Sequence, residues 1–156
     1  MKACGGMTGV ALLFSLLVMA AGAEPICLEL SSGSRRTAYR VNQDDRLRLS
    51  FRHSLYGSLV EEHFRIMRDG FQLFEARYAE LRLAEFYGHE LATFDNGSWV
   101  VHAAAPVLPA IDFRVSADSS FVLHIRGRRL PLEYDHLSAG RHSLNLVSCP
   151  GTANGR

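Results

Sequence analysis

Residues 46–66 read RLRLSFRHSLYGSLVEEHFRI, and the folding of this stretch back on itself fixes how the surrounding chain is arranged. Leu47, Leu49, Phe51 and His53 alternate with Arg46, Arg48, Ser50 and Arg52, the two-residue period of a strand with one face turned inward. Gly57-Ser58 offers a turn. A loop of two or four residues centred there pairs Leu49 with Ile66, Phe51 with Phe64 and His53 with Glu62. In that register the apolar stripe ends in a histidine facing a carboxylate.

Outward from this hairpin the alternation recurs in short runs, at 27–30, 37–41, 71–78, 99–103, 111–115, 121–126, 128–132 and 142–147. Turn chemistry separates them at Asp69-Gly70, Asn96-Gly97, Gly127 and Ala139-Gly140, with Pro106 and Pro109 bounding a longer connection. Many short strands with regular turns predict an all-β fold, a single-domain antiparallel sandwich or barrel over residues 24–156. The exception is 79–91, where Leu81, Ala84, Tyr87 and Leu91 recur at helical spacing. This insert is expected to be a short helix or compact loop lying over one end of the sheet.

The N-terminus carries Lys2, an apolar run from Val10 to Ala20 and then Ala21-Gly22-Ala23, the arrangement of a secretory signal peptide over residues 1–23 with cleavage before Glu24. The alternative is a retained anchor, but the run falls short of the roughly 20 apolar residues that span a bilayer. The expectation is a periplasmic or secreted protein with no stable membrane span after cleavage. Past residue 23 two cysteines remain, Cys27 and Cys149. In an oxidising compartment such a pair is most simply a disulfide, and closing a loop of about 120 residues constrains the unfolded chain by about 4 to 5 kcal/mol in the entropic description. The alternative is two separate thiols.

Lys2 is the sole lysine, so past residue 23 sixteen arginines balance sixteen acidic residues. A neutral chain lacks the basic surplus that phosphate neutralisation requires, and nucleic acid is excluded as an expected partner.

His53-Ser54-Leu55 followed by Val60-Glu61-Glu62-His63-Phe64 resembles the His-Ser-Val and Val-x-Glu-x-Phe signature of a bacterial family known as domain of unknown function 1850. Glu75-Ala76-Arg77-Tyr78 is similar to that family's Glu-x-Arg-aromatic strand, and Gly127-Arg128-Arg129-Leu130-Pro131-Leu132 to its closing turn and strand. The resemblance covers roughly residues 27 to 147. Where the family has a Gly-Ala-Gly-Leu-Pro loop, this chain has Tyr87-Gly88-His89-Glu90-Leu91-Ala92. The resemblance implies an exported accessory protein, since the family is often encoded beside TAXI-type TRAP transporters, with a solute-binding protein or permease as partner.

The candidate site follows from the hairpin. A two-residue turn at Asp69-Gly70 places Arg77 opposite Glu62, so that His53, Glu62 and Arg77 form a row across three strands with Glu75 beside Phe64; a three-residue loop instead sets Phe74 opposite Phe64. A carboxylate beside His53 favours its protonated ring and burial opposes this. Such a row serves either as a polar clasp closing one end of the core or as a binding site. Catalysis lacks support: Ser54 follows His53 in a strand, their side chains leave opposite faces, and no nucleophile elbow, phosphate loop or dinucleotide fingerprint is present. The seven histidines show no paired ligand spacing, so neither a metal nor a cofactor is expected. The residues and the resemblance together point to a non-enzymatic binding or transporter-accessory protein; the first alternative is a self-standing small-ligand binder with a pocket near His53, Glu62 and Arg77 under the 79–91 insert, and the last is a hydrolase.

Overall fold

The computed structural model describes residues 25–116, 121–126, 128–129 and 139–149. The expected signal peptide lies outside them, as does most of the closing segment 127–132.

Two antiparallel sheets pack face to face. The first has the order β2-β1-β11-β8, built from β1 (Ile26–Ser32), β2 (Arg35–Val41), β8 (Ala110–Val115) and β11 (Gly140–Ser148). The second has the order β10-β9-β3-β4-β5-β7-β6, from β3 (Arg46–Arg52), β4 (Leu59–Met67), β5 (Gly70–Tyr78), β6 (Thr93–Asp95), β7 (Ser98–His102), β9 (Phe121–Ile125) and β10 (Arg128–Arg129). Within the described residues, the sheet positions expected from alternation are filled by strands. The short β6 was not anticipated, because all three of its residues are exposed and show no alternation of burial. It pairs with β7 across Asn96-Gly97, both with positive φ (47° and 83°), as a two-residue hairpin turn requires.

The main core lies between the sheets, where Leu28, Leu30 and Leu144 of the first meet Leu47, Leu49, Phe64, Ile66 and Phe71 of the second. Each of these eight side chains is essentially excluded from water. The second sheet is wider than the first, and its β5–β7 side is covered instead by α1 (Leu81–Phe86), whose Leu83 and Ala84 pack on Val60, Ala76 and Tyr78 as a smaller core. The 79–91 insert is therefore the expected short helix with a loop. Phe51 touches both cores, which marks the seam between them.

Cys27 and Cys149 form a disulfide with Cα atoms 4.8 Å apart. It ties β1 to the end of β11, its register partner, and Cys149 N–H donates to Pro25 O at 2.9 Å. Gly70 lets two segments approach closely, since a Cβ there would lie 2.1 Å from the Leu108 carbonyl oxygen, beside the Phe71–Leu108 bridge.

Candidate functional site

The β3–β4 hairpin forms in a different register from the expected one. Leu49 lies opposite Glu62, Phe51 opposite Val60 and Leu47 opposite Phe64, so His53 does not pair with Glu62. The loop has four residues but is centred two positions earlier, from Ser54 to Gly57. His53 N–H donates to Ser58 O at 2.9 Å and Gly57 N–H to His53 O at 2.7 Å. Gly57 is the closing residue of the loop, in the left-handed region (φ 67°), rather than its centre. A slip of this size moves each partner by an even number of positions, so every side chain keeps its face. His53 and Glu62 both remain inward.

The β4–β5 pair departs further. Met67 pairs with Gly70, making Arg68-Asp69 the turn, and a β-bulge follows between His63 and Phe64. His63 faces Glu75 while Phe64 faces Leu73, leaving Phe74 as the extra residue. The bulge reverses the alternation beyond it. Phe71 packs into the main core before the bulge and Ala76 and Tyr78 into the smaller core after it, while Glu75 and Arg77 turn to the outer face. The expected row of His53, Glu62 and Arg77 does not form: Arg77 lies opposite Glu61, and Glu62 lies opposite Ala76.

Glu75 and Arg77 belong to a paired network on that outer face. Arg77 Nε donates to Glu75 Oε1 at 2.7 Å, and His102 Nδ1 lies 3.6 Å from Glu75 Oε2. One strand over, Ser50 Oγ donates to Glu61 Oε1 at 3.0 Å, and Arg48 lies 3.4 Å from the same carboxylate. Burial alone would raise the pKa of Glu75, but its bond to Arg77 and the charges around it hold it below the usual glutamate range. Burial is the main reason His63 is pushed below the usual histidine value, against the attraction of Glu75 and Glu61.

The inner face presents a different environment. A cleft of about 310 Å³ opens at the seam between the two cores, lined by His53 and Glu62 together with Phe51, Phe113, Phe121 and Tyr87 among others. Phe113 and Phe121 stack at 4.3 Å with planes 7° apart, and Phe51 lies 6.5 Å from Phe121. Glu62 interrupts the apolar stripe of β4, between Phe64 of the main core and Val60 of the smaller one. Burial raises its pKa, and its charge helps push Tyr78 and Tyr87 upward too, although desolvation is the larger cause for both. No hydrogen bond or ion pair joins Glu62 to a side chain among the described residues.

His53 is held by its own loop. The N–H groups of Leu55 and Tyr56 point at Nδ1 from 3.3 and 3.4 Å, which assigns the proton of the neutral ring to Nε2. Tyr56, Phe86 and Tyr87 surround the ring with centroids 5.1 to 5.8 Å away. Of the aromatic residues of the insert, Tyr87 was read from sequence only as part of a helical stripe, and Phe86 was not singled out. Their role at the cleft has no sequence signal, because it depends on where α1 docks.

Arg52, Asp112 and Arg114 also line the cleft, from strand positions that alternate with the inward ones. Arg52 donates to Gly57 O at 2.8 Å. Ser54 is exposed at the lining and makes no hydrogen bond with His53 among the described residues, so this geometry assembles no nucleophile-base pair. No three His, Cys, Asp or Glu side chains among the described residues are grouped to hold a metal, and no described helix is long and apolar enough to cross a membrane.

Comparison with protein-family models, with curated proteins and with solved structures finds no match for this chain in any of the three.

Proposed function

We propose that this chain is a non-enzymatic binding protein, exported through its N-terminal segment, that holds a small ligand in the cleft between its sheets. The observation that carries this reading is the cleft itself. A concave space of about 310 Å³ with apolar aromatic walls and convergent polar groups, His53 and Glu62, has the composition of a small-molecule site. A clasp reading would need the two groups satisfied by each other. His53 instead takes its hydrogen bonds from its own loop, and Glu62 stays turned to the cleft.

A panel of small molecules screened by thermal unfolding of the full-length protein tests this. At least one compound should raise the midpoint, and Ser54→Trp, which obstructs the lining, should remove that effect without unfolding the chain. A panel in which no compound shifts the midpoint, together with a native mass showing no co-purified small molecule, would contradict the reading.

A second reading is supported by the resemblance to domain of unknown function 1850, because three residues of its signature, His53, Ser54 and Glu62, line this same cleft. In that reading the protein is an accessory of a TAXI-type TRAP transporter and meets its solute-binding protein or permease. Co-purification with a co-encoded transporter component supports it. The intact mass of the periplasmic protein tests export: loss of residues 1–23 is expected, and a membrane-bound mass that retains them would contradict it.

A further inference from the structure

The chemistry of the cleft narrows what it holds. Of the charged groups lining it, Glu62 alone occupies an inward strand position, since Arg52, Asp112 and Arg114 all alternate with the inward residues. Its carboxyl has no partner among the described side chains, and the wall beside it is made of stacked phenylalanine rings. A carboxylate in such surroundings gains most from a cation that brings its own apolar body to set against the ring stack. A neutral ligand would leave the charge uncompensated, and an anionic one would be repelled.

We propose that the cleft takes a small primary amine with an aromatic or branched apolar body, its ammonium set against Glu62 and its body against Phe51, Phe113 and Phe121. This deepens the binding reading above and rests on it. The raised pKa of Glu62 agrees: burial disfavours its charge, and an ammonium set against it restores that charge. Arg114 and Arg52 also line the cleft with their charges, and Asp112 stands there as a second carboxylate, so the preference for a cation rests on the inward position of Glu62 and not on the net charge of the lining. Arg52 donates to the Gly57 carbonyl, which fixes its position without removing its charge. The volume suits a single ring with a short amine arm, at the lower end of the roughly 300 to 1,000 Å³ usual for small-molecule sites.

Calorimetric titration of the full-length protein at neutral pH with phenethylammonium, phenylacetate and 2-phenylethanol separates the possibilities, because the three probes share a ring and differ in charge. Phenethylammonium should bind at least about ten-fold more tightly than the other two. Glu62→Gln should abolish that preference while leaving the affinity for 2-phenylethanol unchanged. Phe113→Leu, which keeps an apolar wall but breaks the ring stack, should weaken the amine by a smaller factor. Equal or tighter binding of phenylacetate or 2-phenylethanol overturns the ligand class and leaves the cleft as a binding site. No heat from any probe also overturns the class, and if no compound of the wider panel binds, the binding reading falls with it.

Discussion

Glu61 and Glu62 are adjacent in β4 and meet opposite circumstances. Glu61 points to the outer face, where Ser50 donates to it at 3.0 Å and Arg48 and His63 stand nearby. Glu62 points inward to a cleft, beside phenylalanine rings, with no such donor among the described residues. The outer carboxylate is part of how the sheet holds itself together. The inner one has no side-chain partner among the described residues, and a group of that kind needs a reason outside the fold.

The largest expected contrast lies in the flanking aromatics. Phe64, inward and 3% exposed, should destabilise the protein by about 3 to 5 kcal/mol when replaced by alanine. Phe74 on the outer face, with Arg46 and Arg65 over its ring at 5.6 and 5.9 Å, should cost only about 1 kcal/mol. Denaturant unfolding of both variants checks this, and equal losses would mean that the bulge does not turn Phe74 outward.

The glutamates come next, and they should move in opposite directions. At neutral pH Glu62→Gln should stabilise the empty protein by about 1 kcal/mol, because it removes a charge that burial disfavours. Glu61→Gln should destabilise it by up to about 1 kcal/mol, a modest figure because the Arg48 side chain is still 38% exposed and water screens the pair. Chemical denaturation gives both values on one scale.

The smallest effect is one of pH. Glu75 is held below the usual glutamate range, so its contribution is complete above that range and is lost as the pH falls through its lowered value. Arg77→Ala should remove that acid-side loss and move the Glu75 titration, followed by carboxyl NMR, back toward the ordinary value.

How much of this was legible in the sequence depended on which physical signal carried it. The faces of β3 and β4 could be read because the alternation of Leu47, Leu49 and Phe51 with arginine has a period that register slips of even size leave intact. The register itself could not, since Gly57 serves a four-residue loop equally well at its centre or its close. Glu75 and Arg77 were assigned to the inner face because alternation carried on from Phe71 reaches them there. The bulge at Phe74 breaks that count, and nothing local in the sequence marks it. A pocket near His53 and Glu62 under the 79–91 insert was legible as an alternative, but its walls were not: Phe113 and Phe121 come from β8 and β9, and only packing between elements distant in the chain brings them there.

The most direct test of the central claim, that Glu62 is an inward carboxyl with no side-chain partner among the described residues, is the stability difference between the wild-type protein and Glu62→Gln measured across pH. A carboxyl whose folded pKa is raised makes the folded state bind its proton more tightly than the unfolded state does. The wild-type protein therefore loses stability as pH rises from the ordinary glutamate value through the raised one. The account predicts that the two proteins are nearly equal at acid pH, that the variant becomes the more stable as pH rises, and that the gap then levels off. A variant that is less stable at neutral pH, with the gap closing as the solution is acidified, would show that Glu62 is a paired structural carboxylate and would contradict it.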